Sequence, residues 1–62
     1  MSIYEFVKSV YDNAADPGMY MDIETAKTDI DNFRRDGWNV PDELTPVEYM
    51  ETYNDFVSNY NK

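Results

Sequence analysis

The chain has no cysteine and no histidine. Without cysteine, neither a disulfide nor a thiolate metal site can support a small core, and the absence fits a reducing cytoplasm. Without histidine, the usual general base near neutral pH and the commonest metal ligand are both missing. Positive charge is scarce as well: five Lys and Arg stand against 13 Asp and Glu, a formal net charge of −8. Nucleic acid and anionic membrane are bound through Lys and Arg, so such a surface repels both and favours a basic protein partner. Long apolar runs are absent, and the opening MSIYEFVKSV has no basic stretch followed by an apolar one. That predicts no signal peptide, no transmembrane span and a cytoplasmic protein.

Aromatic side chains are what the chain has in quantity, 16% of its 62 residues, too many for a disordered acidic tail. The length predicts one domain. At this size folding buries only about 60% of the surface that the unfolded chain exposes, so every core side chain matters.

The ends of three helices can be read from capping residues. Ser2 and Glu5 form a capping-box pair ahead of the stripe Ile3, Val7, Val10 and Ala14, with Phe6 and Tyr11 flanking it. Asp16-Pro17-Gly18 stops that helix. Asp22 caps a second, whose stripe is Ile23, Ala26, Ile30 and Phe33 and whose last turn carries Arg34 and Arg35 before Gly37. Thr45, Pro46 and Glu48 open a third, with Met50, Tyr53, Phe56, Val57 and Tyr60 on its apolar side and Tyr49 beside them. The predicted helices run over about 3–15, 23–35 and 46–60. No segment alternates with a period of two, so the fold class is all-α: a compact three-helix domain with a tryptophan-bearing loop between the second and third helices.

Trp38, the only tryptophan, directly follows Asp36-Gly37. One residue past a glycine C′, a bulky apolar side chain folds back on the last helical turn. This predicts that the indole closes the core beside Val40 and Leu44. The alternative is an interface anchor, since tryptophan is enriched among binding hot spots. Both roles hold if one ring edge stays exposed.

Catalytic and metal chemistry find little material. Asp29, Asp31 and Asp36-Gly37 have the outline of a calcium loop, but Phe33 and Val40 stand where oxygen ligands belong and Arg34 where the glycine belongs. Tyr53 and Tyr60 lie on the apolar stripe of the third helix and are predicted to be buried with their hydroxyls at the rim. No phosphate-binding glycine loop or nucleophile elbow is present. The expectation is a protein that is not an enzyme and needs no cofactor.

The carboxylates are the remaining feature. Glu48, Glu51 and Asp55 fall in one narrow arc of the third helix, spread along about 10 Å. Asp42 and Glu43 precede it, and Asp29 and Asp31 stand on the second helix. A domain whose charges served only solubility would mix the two signs. An uncompensated −8 suits an acidic module that binds a basic protein surface, and in its sharpest form a nucleic-acid mimic seated where a nucleic-acid-binding protein expects phosphates. These seven acidic residues are the candidate binding residues, with Trp38 and Tyr49 as exposed anchors. The competing class is a self-associating helical domain pairing through Tyr4, Tyr20, Met19 and Met21. A divalent-cation binder is a third.

Two resemblances add to this. Phe33–Asn39, F-R-R-D-G-W-N, followed by an acidic loop and Y-N-D-F at Tyr53–Phe56, resembles part of a small anti-CRISPR inhibitor of Cas9. Gly37–Glu48, G-W-N-V-P-D-E-L-T-P-V-E, resembles small uncharacterised acidic proteins of phages and conjugative elements of Gram-positive bacteria. The first implies a β-sheet and inhibition of a nucleic-acid-binding enzyme. The second implies a mobile-element origin.

Overall fold

A computed structural model describes all 62 residues. Three helices make the fold: α1 (Ile3–Asp12), α2 (Ile23–Arg35) and α3 (Pro46–Tyr60). There is no strand, so the sheet implied by the anti-CRISPR resemblance is not part of it. Each helix begins where its capping residue dictates. The Ser2 hydroxyl accepts from the Glu5 N–H at 3.1 Å while Glu5 Oε1 accepts from the Ser2 N–H at 3.3 Å. Asp22 accepts from the Thr25 N–H at 2.8 Å, and Thr45 from the Glu48 N–H at 3.2 Å. These bonds satisfy amide groups that the first helical turn leaves without partners.

The end of α2 is a Schellman turn. The Trp38 N–H donates to the Phe33 carbonyl at 2.9 Å, and the Gly37 N–H to the Arg34 carbonyl at 3.3 Å. Gly37 takes φ 79°, and the indole of Trp38 lies 4.7 Å from the Phe33 ring, centroid to centroid. The predicted fold-back is therefore the observed one. A β-carbon at Gly37 would meet no atom within 4 Å, so Gly37→Ala carries only the backbone cost of a left-handed residue, about 1–2 kcal/mol. Its melting temperature should drop by several degrees with no change in fold, as thermal circular dichroism would record.

The first helix is shorter than predicted. It closes at Asp12, with Asn13 as C-cap, not near residue 15. The Asn13 amide donates to the Ser9 carbonyl at 2.8 Å and the Tyr11 hydroxyl to the Pro17 carbonyl at 2.8 Å. Those two bonds occupy carbonyls and turn the chain early, although Ala14 and Ala15 would have continued a helix.

α3 packs on both of the others, whereas no Cα atom of α1 comes within 8 Å of one in α2. The core comprises Phe6, Val7, Ala26, Ile30, Leu44, Tyr49, Tyr53 and Val57. On α3 the buried line is Tyr49, Tyr53 and Val57, at steps of four. The predicted stripe was offset from it. Met50 and Phe56 are flanking residues, only partly buried, and Tyr60 is 62% exposed, not buried. The helix end leaves nothing above Tyr60 for it to pack beneath.

Eight of the ten aromatic rings join in one chain of contacts. It runs Tyr4–Phe56 (5.3 Å), Phe56–Tyr11 (5.4 Å), Tyr11–Tyr53 (5.3 Å) and Tyr53–Tyr49 (6.3 Å). From Tyr49 it continues to Phe33 (6.1 Å), which meets both Phe6 (5.5 Å) and Trp38 (4.7 Å). Edge-to-face and offset pairs at these separations add about 0.5–1.5 kcal/mol each beyond area burial. In a domain with so small an apolar interior, they are the principal side-chain order.

Candidate protein-binding surface

With Tyr49, Tyr53 and Val57 turned inward, the helical period of about 100° per residue points Glu48, Glu51 and Asp55 outward. All three are exposed. Asp42 and Glu43 are exposed on the turn leading into α3, and Asp31 is exposed on α2. The ridge thus combines one helix face with the loop before it.

Two of the nine candidate residues behave otherwise. Tyr49 is fully buried, so it is no exposed anchor: it lies under the interface between α2 and α3. Asp29 is half-buried, and its Oδ2 accepts the Tyr49 hydroxyl at 2.9 Å. Asp29 is thereby committed to the edge of the core. Burial first, and then the neighbouring Asp29 charge, push the Tyr49 phenol far above its ordinary value, so it stays a neutral donor. Trp38 stacks one side on Phe33 and leaves 51% of its surface exposed.

Charge compensation is sparse. Only Asp12, 3.1 Å from Lys8, and Glu24, 3.7 Å from Lys27, form ion pairs among the 13 side-chain carboxylates. Both pairs are exposed single-turn contacts of small energetic value. Arg35 is turned to the Asn32 side chain at 2.6 Å. The remaining carboxylates repel one another, and raising sodium chloride from about 50 to about 300 mM should therefore raise the melting temperature. Magnesium or calcium at matched ionic strength should do no more, because no three His, Cys, Asp or Glu side chains are placed to hold a metal ion.

Two carboxylates titrate abnormally for a structural reason. The Ser2 hydroxyl holds Glu5 below the usual carboxylate range, and the Thr25 backbone N–H does the same for Asp22. A folded-state pKa below the unfolded value stabilises the fold above the unfolded pKa, and this is lost as pH falls through the folded one. Relative to Asp22→Asn, the wild-type advantage in melting temperature should be present near neutrality and vanish in acid.

A set of contacts not foreseen from the sequence ties the linker to α3. The Met21 N–H donates to Asn54 Oδ1 at 2.7 Å and Asn54 Nδ2 donates to the Met21 carbonyl at 3.0 Å. The Tyr20 and Ser58 hydroxyls lie 3.1 Å apart, and Asn61 Nδ2 donates to the Gly18 carbonyl at 3.2 Å. Asn54, Ser58 and Asn61 recur at four- and three-residue steps, the only sequence signal of this polar stripe. No helix is long and apolar enough to cross a membrane.

No match was found among protein-family models, curated proteins or solved structures. The surface itself is what bears on function.

Proposed function

We propose that the chain is a non-enzymatic, acidic protein-binding module of a mobile element, and that its outer α3 ridge occupies a basic site on a partner. The observation that carries this is the arrangement of Glu48, Glu51 and Asp55, exposed in one line and without a cation within ion-pair distance. Asp42 and Glu43 extend it. Carboxylates spread along about 10 Å of helix can stand in for several phosphates of a duplex, which carries a charge about every 1.7 Å of axis. Mimicry of nucleic acid is the sharpest form of the proposal, and a nucleic-acid-binding protein is the partner it names. The mobile-element origin rests on the resemblance of Gly37–Glu48.

The test is affinity capture with the tagged protein from host lysate at about 50 and about 300 mM salt, because charge-driven association weakens steeply over that range. A nucleic-acid-binding protein recovered at low salt and displaced by added DNA or RNA supports mimicry. One that stays bound while duplex DNA occupies it opposes mimicry. The self-association reading draws on Tyr4, Met19 and Tyr20, which are exposed, whereas Met21 is part-buried against Asn54. It requires a dimer at micromolar concentration in sedimentation, whereas the mimic works as a monomer.

A further inference from the structure

The separation of α1 from α2 leaves a groove of about 560 Å³ on the side of α3 opposite the acidic ridge. Its floor is Tyr53, almost fully buried, with the completely buried Tyr49 beneath. Val10 and Ala14 form one wall, Thr25 and Asp29 the other, and the linker residues Met19 to Met21 close one end. Trp38, half exposed, also borders it. Most of the lining is apolar, yet three carboxylates, Asp16, Asp22 and Asp29, stand in it and no Lys or Arg does. Asp22 is used as the α2 cap. Asp29 uses one oxygen for Tyr49 and has no hydrogen bond within the chain at the other. Asp16 is exposed at the rim of the groove and has no ion-pair partner.

We propose that this groove receives an amphipathic helix of a partner protein, with its apolar side against Val10, Ala14, Met21 and Trp38 and a lysine or arginine directed to Asp16 and Asp29. Two helices whose Cα atoms stay more than 8 Å apart over a third, and which meet at Phe6 and Phe33, leave room beside that contact for a further helix of a bundle. Methionines and half-exposed aromatics adapt to varied apolar side chains and accept cations on ring faces. Charge complementarity fixes the sign of the occupant. It also disfavours a second copy of this chain, whose net charge of −8 would bring like charge to the same carboxylates. The groove does not depend on the ridge reading, since the two lie on opposite sides of α3.

The test uses an aromatic-free amphipathic leucine–lysine peptide of about 18 residues, titrated into labelled protein and followed by amide and indole NMR shifts. Shifts should concentrate at Ala14, Met19, Met21, Thr25 and the Trp38 indole. Ala15→Arg, at an exposed groove position, and Asp29→Asn, which keeps an acceptor for Tyr49, should each weaken binding about tenfold or more. Replacing Glu48, Glu51 and Asp55 by Gln, Gln and Asn should change it less than about threefold, the share that long-range charge supplies. Unaltered melting confirms that each variant is folded. Shifts centred on the ridge would overturn the proposal. So would equal binding of a scrambled peptide of the same composition. Spermidine producing the same shifts at similar concentration would make the groove a small-cation site and overturn the helix as occupant.

Discussion

Tyr49→Ala is expected to leave the chain largely unfolded at room temperature. Tyr49 is completely buried, and its ring touches Phe33 of α2 and Tyr53 of its own helix. Truncating a buried aromatic to alanine costs about 3–5 kcal/mol, through lost transfer free energy and the cavity left behind. The whole core of a chain this small rarely supplies more than about 3–5 kcal/mol of net stability. The two quantities are equal in size, so the native state loses its margin. Tyr49→Phe separates packing from polarity. It keeps the ring and leaves Asp29 without its donor, but Asp29 is only half-buried and can be hydrated, so the loss should be about 1 kcal/mol. Urea denaturation followed by circular dichroism distinguishes the cases: no cooperative transition for the alanine variant, a lowered midpoint with unchanged slope for the phenylalanine variant.

Asn54→Ala should cost about half as much without touching the aromatic chain. The Asn54 amide pairs with both backbone groups of Met21, at 2.7 and 3.0 Å, in the manner of a neighbouring strand. Removing it strands an amide and a carbonyl in a part-buried position, at roughly 1 kcal/mol or more each. About 2 kcal/mol in so short a chain lowers the melting temperature by on the order of 10 °C. Hydrogen exchange should show the Met21 amide losing its protection first. Asn54→Asp preserves the acceptor for the Met21 N–H but offers no donor to its carbonyl, so it should fall between the two. Equal stability of wild type and Asn54→Ala would mean that the linker is held by other contacts.

What the sequence made legible were features governed by local rules. Ser2 with Glu5, Asp22, Thr45 with Pro46, and Gly37 each act within a few residues, and each sits where the capping chemistry puts it. The Trp38 contact with Phe33 belongs to the same class, because the Schellman turn itself brings the two side chains together. The burial of Tyr49 has a non-local cause. α3 packs on two helices at once, so its buried arc is wide, and the periodicity of a wide arc does not reveal its centre. Tyr49 stands in the buried line with Tyr53 and Val57, whereas Tyr60 lies past its end, and only the packing of α2 against Tyr49 separates the two. Asn54, Ser58 and Asn61 were hidden for the complementary reason: polar residues at helical spacing read as a solvated face until a linker is laid across them. In sequence Asp29 looks like the other carboxylates, because nothing in its neighbours indicates the Tyr49 hydroxyl, which arrives from 20 residues away. The ridge of Glu48, Glu51 and Asp55 was legible as an arc, and the structure leaves it exposed.

The ridge is therefore where the functional account is most exposed to test. The direct measurement is a side-by-side capture from host lysate with wild type and with Glu48→Gln, Glu51→Gln, Asp55→Asn as baits, at about 50 mM salt. All three positions are exposed and none makes a side-chain hydrogen bond or ion pair, so the variant should fold as the wild type does. The account predicts a basic, nucleic-acid-binding protein on the wild-type bait, lost at about 300 mM salt and reduced by an order of magnitude or more on the variant at low salt. Equal recovery on both baits would contradict it.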